Sequence, residues 1–116
     1  MANASLEATA HVDGAHARIE LRGDIDGSAR EALGAAYEET AGARELLLDF
    51  SAVDYINSTG IALIVGLLAR ARADARKISA SGLSPHYREI FEITRLSDFM
   101  TIVADDATPE GDQPDE

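Results

Sequence analysis

The chain has no cysteine, only three prolines, and a single lysine, Lys77, among its ten basic residues. Without cysteine there are no disulfides, no zinc–thiolate sites and no thiol redox chemistry, which suits a reducing compartment. Long apolar runs are missing too. The longest charge-free one, Gly60 to Ala69, falls far short of the roughly 20 residues that a spanning helix needs. The opening "MANASLEATAHVDG" lacks the basic start and apolar block of a secretory signal, so a cytoplasmic protein is expected. Positive charge is scarce: 21 acids against 10 bases give a formal net charge of −11. Nucleic acid and anionic membranes need a basic surface to displace counterions, so neither is expected as a partner. A protein partner or a small ligand fits better.

What is present is an ordinary globular balance, 46% hydrophobic and 27% charged over 116 residues, the size of one domain with one core. The acid excess is concentrated at one end. Residues 105–116 hold Asp105, Asp106, Glu110, Asp112, Asp115 and Glu116 and no base. This Pro- and acid-rich stretch has too little apolar content to fold. The expected organisation is a domain over 1–104 and an acidic, disordered tail over 105–116.

Hydrophobic periodicity gives the elements. Residues 8–13 and 15–22 alternate apolar and polar about Gly14, as two strands joined by a tight turn would. After "GDIDG" the spacing of Ala29, Leu33, Ala36 and Tyr37 becomes helical, ending near Gly42. "ELLLDF", 45–50, is a short apolar run that predicts a central strand buried on both faces. "SAVDYIN" reads as a connection, followed by a helix from about Ser58 to Ala73 and a strand at 77–82. Ser84 and Pro85 open a third helix, with Tyr87, Ile90 and Phe91 on its apolar face, and "MTIVA" is a last short strand. Strands alternating with helices after a hairpin predict an α/β layer fold, a mixed sheet of four to five strands with three or more helices.

The most informative stretch is "NSTG" at the start of the central helix. Asn57, Ser58 and Thr59 are all good capping residues, and orphan N–H groups there need an acceptor. A cap uses one of them and leaves the second hydroxyl unexplained. Gly60, inside the first turn, costs about 1 kcal/mol relative to Ala, so close approach of another molecule is the expectation. At 100° per residue Ile61, Ile64, Val65 and Leu68 form a stripe toward the sheet, and Leu63 and Leu67 fall on the opposite side beside Gly66. That side is a candidate docking surface. The plainer alternatives are a neighbouring helix over both leucines, or two ordinary exposed leucines.

A phosphate on Ser58 would place about two negative charges where helix N–H groups and the dipole favour an anion, so the fold would survive it. A partner burying this corner would meet an uncompensated charge and be released. Enzymatic readings lack their residues. His11, His16 and His86 lie in unrelated elements, no G-x-S-x-G elbow surrounds Ser58, and the usual nucleotide, dinucleotide and zinc motifs are absent. An aspartyl acceptor at Asp49 would also require an acidic pair and a late-strand lysine that the sequence lacks. No cofactor or metal is expected.

"LRGDIDGSAREALGAA", "LLLDFSAVDYINSTGIALIVGLLARA" and "SGLSPHYREIFEITRLSDFMTI" together resemble the STAS domain, specifically the bacterial anti-sigma factor antagonists, over roughly residues 8–103. The resemblance implies a small α/β domain that binds a serine-kinase anti-sigma factor when unmodified and thereby frees the sigma factor. It implies phosphorylation by that kinase on the first hydroxyl of a D-S-[ST]-G motif, reversed by a PP2C-type phosphatase. By this resemblance Ser58 takes the acceptor's place, with Thr59, the second hydroxyl, as the alternative acceptor, and Asp26 in "GDID" takes an acidic position near the acceptor. The last has an equally good reading as a helix cap. Asn57 stands where the family usually has Asp. It still caps, removes one charge that would repel a phosphate, and changes what the kinase meets. Two functions therefore remain: a phosphorylation-switched antagonist docking through Asp26, Asn57, Ser58, Thr59, Leu63 and Leu67, or a constitutive interaction module of a transporter or signalling complex in which the hydroxyls only cap.

Overall fold

The two alternating runs form a hairpin. Strand β1, Glu7–Asp13, pairs antiparallel with β2, His16–Ile25, and Gly14 makes the turn at φ +65°. The computed structural model describes residues 6–103; the acidic tail expected from 105 onward lies outside the described residues. A 3-10 turn, Gly27–Ala29, leads into α1, Arg30–Glu39, and then β3, Glu45–Ile56. Helix α2, Ser58–Ala73, is followed by β4, Lys77–Ser81, by α3, Pro85–Ile93, by a second 3-10 turn, Leu96–Asp98, and by the two-residue β5, Thr101–Ile102. The five strands lie in sequence order and β2 to β5 run parallel, so the sheet is mixed, as expected.

Each parallel step goes to the next strand in the same direction. Right-handed crossovers then place every helix on one face of the sheet. Burial agrees: along β2, Ala17, Ile19 and Leu21 are buried while His16, Arg18 and Arg22 are exposed. This corrects the expectation that 45–50 is buried on both faces. Leu46, Leu48 and Phe50 enter the core, but Leu47 and Asp49 are only half-buried on the uncovered face. The strand is central, as its apolar run suggested, yet one-sided. It also extends six residues further than that run. "SAVDYI" stays paired with β2, Ala52 opposite Arg22 and Ile56 opposite Ile25, through two irregularities in register. Those bulges break the period of two and hide the strand from pattern reading.

Helix α1 lies against one flank of α2. The Tyr37 hydroxyl donates to Asp74 Oδ2 at 2.7 Å and Arg70 Nη2 donates to Glu38 Oε2 at 2.7 Å. The guanidinium groups of Arg70 and Arg76 sit 4.6 and 4.5 Å from the Tyr37 ring centroid. Burial pushes the Tyr37 phenol above its ordinary range, and its hydrogen bond to Asp74 adds to the shift. Leu63, Leu67, Arg70 and Asp74 share this flank of α2 by helical spacing. The covering helix is therefore α1, and Leu67 is buried at 6% exposure with Leu63 half-buried against the same core. The expectation of a docking face through Leu63 and Leu67 fails for Leu67. Truncating that side chain reports on core packing, at about 2–5 kcal/mol. Tyr37→Phe removes the hydroxyl that joins the helices and is expected to cost about 1 kcal/mol, lowering the thermal midpoint by about 4–8 °C.

At the far side Ser84 Oγ accepts from the Tyr87 N–H at 3.2 Å to start α3. The Tyr87 hydroxyl in turn accepts from the Ile56 N–H at 2.9 Å. The end of β3, immediately before "NSTG", is thus fixed by α3 as well as by β2.

Candidate functional site

In a parallel sheet the connections at the carboxyl ends of the strands form one rim, and here the β2–α1 and β3–α2 connections meet there. The Asn57 N–H donates to the Ile25 carbonyl at 3.2 Å. A Cβ added to Gly27 would lie 3.5 Å from the Thr59 methyl. Residues 25–28 and 57–60 therefore share a corner, and Asp26, Asn57, Ser58 and Thr59 are brought together. Leu63 lies one turn down α2, half-buried, and Leu67 is elsewhere, in the core.

The capping question has a definite answer. Asn57 is the N-cap of α2, its side-chain oxygen accepting from the Gly60 N–H at 2.8 Å. Ser58 and Thr59 are helical, exposed, and their hydroxyls have no hydrogen-bond partner among the described residues. The cap is complete without them. Asn57→Ala is expected to cost about 1 kcal/mol, read as a lower urea midpoint at unchanged slope, whereas Asn57→Asp keeps an acceptor oxygen and most of that stability.

Gly60 has an internal cause, which corrects the expectation that another molecule approaches it. It is buried, and an added Cβ would fall 2.0 Å from the Ile25 carbonyl oxygen and 2.7 Å from its carbon. The first turn of α2 presses on the end of β2 so closely that only a hydrogen fits.

Asp26 caps the 3-10 turn, accepting from both the N–H and the hydroxyl of Ser28. Those bonds, the hydroxyl's first, hold its carboxyl below the usual carboxylate range. The sign follows: the bonds favour the folded loop above the ordinary Asp value and lose that contribution as pH falls through the lowered one. The side chain stays partly open to solvent, so capping and an interface role are compatible.

The exposed face of α2 runs through Ser58, Ala62, Val65 and Ala69. Val65 is 46% exposed although its spacing had put it toward the sheet, and Tyr55, three residues before Ser58, is 54% exposed. Sequence reading missed both. The burying flank of α2 is rotated toward α1, and "VDYI" lies where the strand period is broken. The larger surface clefts are lined by other residues. A convex helix end with small exposed residues suits a macromolecular partner better than a small molecule. Among the described residues no cluster of His, Asp and Glu could hold a metal ion, and no helix is long and apolar enough to cross a membrane.

A one-sided mixed sheet with a hydroxyl-bearing helix start at its rim defines the class: the family described as Mlab, STAS domain matches residues 8–104, and the chain belongs to the STAS domain family. Within it the similarity is to bacterial anti-sigma factor antagonists. The anti-sigma-B factor antagonist of Listeria monocytogenes is 34% identical over 91 residues, 75% of this chain and 78% of the relative. That of Staphylococcus aureus is 33% identical over 61 residues, 53% of this chain and 56% of the relative, so the match spans just over half of that protein's length. Among solved structures, the anti-sigma factor antagonist SpoIIAA in its unphosphorylated form superimposes with a TM-score of 0.62 over 90% of each chain at 20% identity, which speaks for a shared fold.

Proposed function

We propose that this protein is an anti-sigma factor antagonist. In its unmodified state it binds a serine-kinase anti-sigma factor through the rim formed by Asp26, Asn57, Ser58 and Thr59 and the exposed face of α2. Phosphorylation of Ser58 by that kinase releases it, and a PP2C-type phosphatase restores binding. The protein acts by binding, not by catalysis, and its place of action is the cytoplasm. The names of the Listeria and Staphylococcus relatives support the antagonist role, and SpoIIAA has a solved phosphorylated form as well as an unphosphorylated one.

One observation carries the switch. Asn57 satisfies the helix start, which leaves the Ser58 hydroxyl exposed, and without a hydrogen-bond partner among the described residues, at the first position of α2. A phosphate there meets a helix N-terminus, so it changes the surface charge without opposing the fold. The rival reading, a constitutive module, gives the hydroxyls a capping task that Asn57 already performs. The test is phosphate mapping on protein isolated from its host with and without stress, by intact mass and peptide fragmentation, with Ser58→Ala and Thr59→Ala strains as controls. Phosphate on Ser58 that varies with stress and disappears in Ser58→Ala is the expected result. A Ser58 that stays unmodified under every condition would move the assignment to the constitutive module.

A further inference from the structure

The densest run of basic residues in this acidic chain lies around the end of α2. Residues 70–77, "RARADARK", carry four bases and one acid. Beside them a cleft of about 380 Å³ opens between α2 and the segment that leads into β5, lined by Leu68, Arg72, Arg76, Lys77, Phe99 and Met100, among others. Its floor is apolar, with Leu68, Ile78 and Met100 buried in the core, and Phe99 stands at its edge 55% exposed. The Arg72 guanidinium lies 5.8 Å from the Phe99 ring centroid.

The charges of this cleft do not cancel. Its one carboxylate, Asp98, is taken by Arg95 at 2.8 Å. Arg76 is spent on neutral acceptors, the carbonyls of Ala43 and Thr40 at 2.7 and 2.8 Å. Arg72 and Lys77 form no ion pair among the described residues. In a chain of net charge −11 this is a local excess of positive charge beside an exposed aromatic ring.

We infer that this cleft is the docking site of the chain's own acidic segment, residues 104–116. The connection is short: Met100 and Thr101 line the cleft, and the Val103 N–H donates to the Ala80 carbonyl at 2.7 Å at the end of the described residues. The segment's 13 residues, Ala104 to Glu116, can span up to about 43–47 Å, against a longest molecular extent of 42 Å. Reach is therefore ample even though the segment must first turn back. Six carboxylates and no base in the segment meet three cations that form no ion pair among the described residues, in a chain that is otherwise net acidic. Attachment raises the effective concentration of the segment to the millimolar range, so weak, salt-sensitive contacts suffice. The occupied cleft borders the far end of the exposed face of α2, opposite the Ser58 rim.

The absence of native cysteine makes the test clean. A nitroxide on Asp112→Cys in the full chain marks the segment at one point, and amide signals of the ¹⁵N-labelled protein report where it goes. At low ionic strength the amides of Ala71, Arg72, Phe99 and Thr101 should lose at least about half their intensity relative to the reduced label. They should recover near 1 M salt, where screening shortens to about 3 Å, and in an Arg72→Glu, Lys77→Glu variant. Undisturbed amides there, or losses centred on the uncovered sheet face at His11, Arg18 and Ser79, would overturn the proposal. So would losses that persist when the label is carried by an unenriched copy mixed with an unlabelled ¹⁵N copy, because the occupant would then be a second molecule. The salt titration needs no charge-reversed variant, so a folding defect in that variant would not spare the proposal.

Discussion

Gly60→Ala is expected to lower the stability of the domain by about 3 kcal/mol or more, although the same substitution inside a helix ordinarily gains about 0.5–1 kcal/mol. The added methyl would lie 2.0 Å from the Ile25 carbonyl oxygen, and that obstacle is backbone, not the tip of a flexible side chain. Relief requires α2 to move away from β2, which breaks the Asn57 N–H bond to the same carbonyl and opens the core beside Ile25 and Ile64, both almost completely buried. For a domain of this size the thermal midpoint should fall by about 12–24 °C. Gly66 on the same helix is the control. A Cβ there meets nothing within 4 Å, so Gly66→Ala should gain about 0.5–1 kcal/mol from helix propensity alone. Opposite signs for the same substitution, six residues apart, would separate contact from propensity. Equal effects of the two would refute the internal close approach assigned to Gly60.

The second large effect concerns binding. Ser58→Asp places a carboxylate at the first helical position, where the dipole welcomes it, so stability should change by less than about 1 kcal/mol in the favourable direction. Affinity for the proposed anti-sigma factor partner should fall on the order of 100-fold or more, because a charge buried without a partner at an interface costs about 2–5 kcal/mol. Ser58→Ala should retain binding, since the hydroxyl makes no bond that the fold requires. Titration calorimetry against the purified partner reads both. A well-folded Ser58→Asp protein that binds as tightly as the parent would refute the charge switch.

Much of this architecture is legible in the residues. The hairpin about Gly14, the helices opened by Ser84–Pro85 and by "NST", and the centrality of "ELLLDF" all follow from spacing and capping chemistry, and all are present. What escaped detection depends on neighbours distant in sequence. Nothing within 45–50 tells that every crossover returns on the same side, so the wetted Leu47 and Asp49 could not be foreseen. Helical spacing orders the residues of α2 around its axis, but which flank faces inward is set by α1, through Tyr37 and Glu38 on Asp74 and Arg70. Leu67 therefore changed from a surface residue to a core one, and Val65 made the reverse passage. Gly60 does mark a close approach, but the approaching group is the chain's own Ile25 carbonyl, not another molecule.

Ser58 belongs to a regular helix whose first turn is pinned to β2 by Gly60 and Asn57. Under the proposed switch, the modifying enzyme could not thread the segment through its cleft as an extended peptide, because straightening that turn would uncover Ile64 and tear the end of β3 from Tyr87. It must recognise a folded surface presented from several parts of the chain at once. If Ser58 is the acceptor as proposed, a synthetic peptide spanning residues 54–62 should be a very poor substrate at concentrations where the intact domain is modified, and unfolded or nascent chains would escape modification until their tertiary structure is complete.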